Sequence, residues 1–292
     1  MTIYLLSPPS LRQGIPPQIQ RMVECLVDAH LSTIHYLCLR SSTQPLVQLF
    51  QAWPALRAVV IHQYEPYRAT VPPNLLPDLC RIQAYLPWLE QLVPGRPIEQ
   101  MFVSPTSFER ERSPEYIEAF KRTLSQCPGL KHLRVHQIPV PGERLMLNFS
   151  HSGITTLDLV LCPHEALTEE EATSLVTVAF HGIIRELPAL CTLRVIYVHH
   201  KLPGSVEFPP PLDDASTLSA QFIDACRTAF DELLRSTRHR ALQLIRVEIC
   251  SSTSNIPDDF WIDAKRRNSL EWVVQAGIGN GKKLSELAVD DD

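Results

Sequence analysis

The sequence predicts an α/β fold in which short parallel strands alternate with helices and the strand–helix unit repeats along one chain. Three observations carry that prediction. First, the order Pro, any residue, Leu, two residues, aliphatic, one residue, aliphatic occurs in "WPALRAVVI" from Trp53, "CPGLKHLRV" from Cys127 and "LPALCTLRV" from Leu187. Second, its inner part, aliphatic–x–x–aliphatic–x–aliphatic, recurs at Ile34/Leu37/Leu39, Ile98/Met101/Val103, Ile154/Leu157/Leu159 and Leu242/Ile245/Val247, with a weaker copy at Leu79/Ile82/Ala84. Third, amphipathic helical segments separate most of these copies.

Each copy reads as a strand because alternate side chains point to opposite faces. The second and third aliphatics of a copy then face inward while their neighbours face out. One such unit cannot bury its apolar side alone, so successive units must stack. The pattern is the strand segment of a leucine-rich repeat. Its first aliphatics are spaced by 22, 23, 19, 32, 24, 36 and 52 residues, and the short intervals match that repeat's period of about 20–29. The fold expected is a leucine-rich-repeat-like solenoid (horseshoe), with strands on the concave face and helices on the convex face. Leu37, Val59, Met101, Leu133, Leu157, Leu193 and Ile245 should share the buried side.

The elements follow in chain order. Residues 1–31 form an N-terminal cap whose segment "GIPPQIQRMVECLVDAHL" holds one amphipathic helix. The array runs over 32–275. Within it, "SPEYIEAFKRTLSQC" begins with Ser113 as N-cap and Pro114 in the first turn, and sets Ile117, Phe120 and Leu124 on one face. "TEEEATSLVTVAFHGIIREL" opens on a capping box, Thr168 to Glu171. "DDASTLSAQFIDACRTAFDELLR" carries Leu218, Phe222, Cys226, Ala229 and Leu233 along one stripe. Residues 200–214 hold Pro209, Pro210 and Pro211 and are expected to form a loop insertion, since prolines withhold the donors a sheet requires. Residues 276–292, closing on Asp290, Asp291 and Asp292, are expected to be a flexible acidic tail. Pro128 stops the helix before it and sets Leu130 at the mouth of the next strand.

Composition narrows the function classes. The 292 residues are 45% hydrophobic and 20% charged, as in a folded soluble protein. A net charge of -5 supplies no overall basic field to gather nucleic acid or acidic lipid. The apolar runs are far shorter than a bilayer span requires, and the start lacks a signal-peptide pattern. Neither nucleic acid nor membrane is therefore an expected partner. The eight cysteines form no C-x-x-C pair and sit mostly in apolar runs, which suits reduced thiols in a cytoplasmic or nuclear protein.

The stretch "LVPGRPIEQMFV", residues 92–103, resembles the repeat region of fungal F-box proteins with leucine-rich repeats, as do the Pro-x-Leu lead-ins and the tryptophan-bearing "DDFWIDAKRRNSLEWVV" near the end. The resemblance covers roughly 30–275, with "VPGRP" its sharpest motif. It implies a non-catalytic substrate receptor whose repeats choose proteins for an SCF-type ubiquitin ligase, with a ligase adaptor as second partner. The F-box itself is a three-helix module. Here the strand "IHYLCL" follows the single helix of 14–31 at once, so the resemblance belongs to the repeats. A stand-alone scaffold or inhibitor is the alternative, since it needs only the repeats.

A metal-dependent enzyme built around His199 and His200 has less behind it, because no third ligand stands at a defined distance. "GIGNGKK", residues 277–283, lacks phosphate-loop spacing, and no G-x-S-x-G or catalytic cysteine signature occurs. No catalytic, cofactor-binding or metal-ligating residue is assigned. The candidate site is instead the outward face of the strands. It comprises Tyr36, Arg40, Val60, His62, Tyr85, Phe102, His132, Arg134, His136, Asp158, Arg194 and Arg246. Its first half is aromatic or apolar and its second is a ladder of arginines around one aspartate, both favoured at protein interfaces.

Overall fold

A computed structural model describes residues 2–5, 35–39, 50–62, 71–105, 113–137, 151, 153–161, 187–199, 241–251, 260–266, 272–278 and 282–284. They fall into two compact units, Met1–Leu133 and Arg134–Asp292. The first holds the parallel strands β1 (Thr2–Leu5), β2 (Tyr36–Leu39), β3 (Ala58–Ile61), β4 (Arg81–Ala84) and β5 (Gln100–Val103) in chain order. Helix α1 (Leu86–Leu92) follows β4, and helix α2 (Pro114–Ser125) follows β5. The unit boundary lies inside β6 (His132–Gln137). The second unit pairs β7 (Thr156–Leu161), β8 (Thr192–His199) and β9 (Leu244–Ser251) in parallel. Strands β10 (Phe260–Arg266), β11 (Trp272–Ile278) and β12 (Lys282–Leu284) then continue from β9 in antiparallel fashion. The class is α/β, and the described parallel strands neighbour one another in the order of the sequence.

The Pro-x-Leu lead-in is a tight turn with proline at its second position, where a fixed φ is already right. Leu56 donates its N–H to Trp53 O at 3.3 Å, Leu130 to Cys127 O at 3.0 Å and Leu190 to Leu187 O at 3.1 Å. A fourth turn of the same kind, missed from the sequence, runs Leu76–Pro77–Asp78–Leu79 and closes at 3.2 Å. Leu76 there takes φ 57°, a left-handed conformation costing a branched residue about 1–2 kcal/mol, while its side chain is fully buried.

Each turn delivers the chain to a shared acceptor on the preceding strand unit. His35 O accepts the N–H groups of both Arg57 and Ala58; Arg57 O accepts those of Cys80 and Arg81. Cys80 O takes Glu99 and Gln100, and Glu99 O takes Lys131 and His132. In the second unit Thr155 O takes Cys191 and Thr192, and Cys191 O takes Gln243 and Leu244. A carbonyl has two lone pairs, so one oxygen satisfies two donors at the point where each strand begins. The same double-acceptor arrangement recurs at the start of each of these strands.

Register lines up the inward residues. Leu37, Val59, Ile82 and Met101 are successive partners in the first unit, and Leu157, Leu193 and Ile245 in the second. All of these, and Leu133, are fully buried. On the helical side α1 buries Leu86, Trp88, Leu89 and Leu92. In α2 the Ser113 hydroxyl accepts from Tyr116 N at 3.1 Å, the N-cap that the sequence predicts. Its buried stripe is Ala119, Thr123 and Leu124, whereas Ile117 and Phe120 are only half-buried, so the helix is rotated from the expected face.

The "VPGRP" motif has a structural role. Gly95 sits at φ 74° as the third residue of the turn Val93–Arg96 that follows α1, closed by the Arg96 N–H on Val93 O at 3.2 Å. Arg96 then turns back and is buried, 4% exposed, with no carboxylate beside it among the described residues. Its guanidinium donates to Leu92 O at 2.9 Å, Pro94 O at 3.2 Å and Gln91 O at 3.4 Å, the free carbonyls of the helix end. It also donates to Leu75 O at 2.9 Å and Pro72 O at 2.8 Å in the segment before β4. Burial lowers its pKa from the ordinary arginine value.

The C-terminal part differs from expectation. The strands from β9 onward are antiparallel, and residues 276–278 and 282–284, expected in a flexible tail, belong to β11 and β12. Register explains why these strands join. Leu159, Val195, Val247, Ile262, Ala276 and Leu284 form one row, so apolar positions continue across the change of direction. The expected helix of 14–31, residues 168–186 of the one over 168–187, the helix over 213–235 and the loop over 200–214 lie outside the described residues, and Leu187 begins a turn.

Candidate functional site

The outward row of the first unit is Cys38, Val60, Gln83 and Phe102, set by register on β2–β5. One position earlier on the same face stand Tyr36, Ala58, Arg81 and Gln100. Phe102 is half-buried and receives the edge of the His132 ring, centroids 5.0 Å apart at 75°. The Arg81 guanidinium lies 5.1 Å from the centroid of the same ring. Arg81 is diagonal to Phe102 across the β4–β5 pair, a distance that long side chains span. Arg81 is absent from the sequence-predicted face, which runs mainly through the residue between the two inward aliphatics. The period of two places Arg81 on the same face as Gln83 and is signal enough.

Val60 is buried, 7% exposed, and so adds to packing more than to an open surface. Tyr36 on β2 and Tyr85, the residue before α1, are half-buried, and His62 is exposed just past β3. Arg40 lies outside the described residues.

In the second unit the row is Asp158, Arg194 and Arg246, with Asp263 opposite Arg246 in the β9–β10 register. Asp158 was expected to face solvent but is 2% exposed. The strand "TLDLVL" explains this: Val160, on the same face, is buried too, so β7 is covered on both sides. Arg194 Nη1 stands 3.7 Å from Asp158 Oδ2, a loose ion pair in which the arginine is half-buried. Arg194 and Arg246 are adjacent like charges, a destabilising arrangement that Asp158 offsets on the Arg194 side.

Arg134 and His136 lie two apart on β6 and therefore on one face. Arg134 Nε and His136 Nδ1 are buried and take no hydrogen bond among the described residues. Burial, then the charge of Arg134, pushes the His136 pKa down to about 4. Folded His136 is thus neutral where the unfolded chain begins to bind a proton. Its contribution to stability is full above pH ~6.5 and is lost as pH falls towards 4, by at most about 1.4 kcal/mol per pH unit. Urea unfolding midpoints between pH 7 and 4.5 should therefore drop more steeply in the wild type than in His136→Gln. Parallel profiles would mean that His136 is not held neutral.

The expected face is therefore two separate arrangements, an aromatic–cation cluster in the first unit and a partly self-neutralised charge ladder in the second. Among the described residues no group of three His, Cys, Asp or Glu side chains could hold a metal ion. Nor, among them, is any helix long and apolar enough to cross a membrane. No family model matches the sequence, and no curated protein matches it.

Proposed function

We propose that the chain is a non-catalytic protein-recognition module, a leucine-rich-repeat-like array that meets its partner through the outward face of its parallel strands. The observation that carries this reading is the register-aligned display of arginine and aromatic side chains on strand after strand. Such side chains give large contact energy per residue, and a rigid sheet holds them with little entropy left to lose. The repeated turn and shared carbonyl acceptor favour the solenoid, because each copy is fixed against the one before it. The receptor role in a ubiquitin ligase rests on the "VPGRP" resemblance alone. A stand-alone scaffold or inhibitor would use the same face without an adaptor.

Partner capture with cross-linking and mass spectrometry tests the reading. Cross-links to the protein partner should concentrate on the strand rows, and the charge-removing variant Arg134→Gln/Arg246→Gln should reduce capture at least about tenfold while remaining folded. Arg194 is left in place because its loss would take from buried Asp158 the cation beside it. Cross-links confined to α1 and α2, with undiminished capture by the double variant, would move the site to the helical side.

A further inference from the structure

We infer that the partner presents an acidic, extended segment, and that Arg81 and Phe102 are the residues that read it. The inference rests on the recognition reading above and adds the partner's chemistry. The protein as a whole is acidic, at -5, yet the two outward rows of β2–β5 hold no carboxylate: Tyr36, Ala58, Arg81, Gln100, then Cys38, Val60, Gln83, Phe102. Their charge is the cation of Arg81. That guanidinium is exposed and makes no ion pair or hydrogen bond among the described residues; its one contact of note is the face of Phe102 at 5.1 Å. An arginine stacked on an aromatic ring keeps its planar fork oriented and its N–H donors outward, ready for a carboxylate. Phe102 is in turn fixed by His132 at 5.0 Å. A carboxylate docked on Arg81 would set the partner's next apolar side chain against the free part of the Phe102 ring. An extended segment supplies that pair from residues two apart, whose side chains share a face.

Full-chain protein should be titrated with short fluorescent peptides in which leucine stands two residues from glutamate, from glutamine or from lysine, with serine at the positions between. The glutamate peptide should bind, and more weakly as salt is raised. Arg81→Gln and Phe102→Ala should each weaken it about tenfold or more, with melting temperatures near the wild type's. Equal binding of the glutamine peptide, still lost in Phe102→Ala, would overturn the acidic assignment and leave the recognition face intact. Binding of the glutamate peptide that survives both substitutions would overturn the assigned residues. A folded protein that binds none of the three peptides would overturn this inference, while the cross-linking pattern decides the recognition reading separately.

Discussion

Replacing Leu133 with aspartate is expected to unfold the first unit. Leu133 is fully buried and closes the inward side of that unit, beyond Met101 on β5. Its strand is tied down by the N–H groups of Lys131 and His132 on Glu99 O, so the backbone cannot swing the new side chain into water without breaking that link. Burying an unpaired carboxylate there costs more than about 4 kcal/mol, comparable to the whole stability of many domains. Leu133→Ala provides the scale. Loss of the same buried volume without a charge should cost about 2–5 kcal/mol and leave a folded but weakened protein. Hydrogen exchange read peptide by peptide is the suitable measurement, because it separates the two units. Amide protection over β2–β5 should disappear in the aspartate variant and merely decline in the alanine variant. An aspartate variant with wild-type protection would mean that Leu133 does not face the core.

Why is Leu133 legible in the sequence and Asp158 not? Strand alternation assigns a face from spacing alone, and aliphatics two apart mark the inward face at every copy. Spacing therefore suffices to name Leu37, Val59, Met101 and their counterparts as core. The outward face carries no such mark. Whether an outward residue meets solvent depends on what covers that side, and at β7 the covered Val160 gives only a weak hint in "TLDLVL". The antiparallel turn of the sheet after β9 is hidden for a different reason. Apolar alternation is the same in parallel and antiparallel strands, so "FWIDAKR" and "WVVQAGI" do not declare their direction. The missed turn at Pro77 is legible. Its closing aliphatic is Ala84, a residue too small to stand out, although the backbone hydrogen bond is the same as in the other copies. The pairing of Arg81 with Phe102 joins β4 to β5, and only the register between them brings the two side chains together.

Arg96→Met should be among the most damaging single substitutions outside the apolar core. The methionine keeps much of the arginine stem's bulk but removes every donor. Five backbone oxygens then lose a partner at once: Gln91, Leu92 and Pro94 at the end of α1, and Pro72 and Leu75 before β4. Hydrogen bonds from a charged donor contribute about 1.5–3 kcal/mol each, though not additively within one group. Relief from burying the guanidinium, whose pKa burial already lowers, offsets part of the loss. Water can serve the carbonyls only where they are reachable, and the arginine's 4% exposure shows how little reaches this place. The expected net cost is roughly 3 kcal/mol or more. Arg96→Lys decides whether charge or shape matters. An ammonium has three donors converging on one point, whereas the acceptors here surround a planar fork on several sides. The lysine variant should therefore fall close to the methionine variant in urea unfolding. Near-wild-type stability with lysine would show that a single positive charge at the helix end, acting on the macrodipole, is what "VPGRP" supplies.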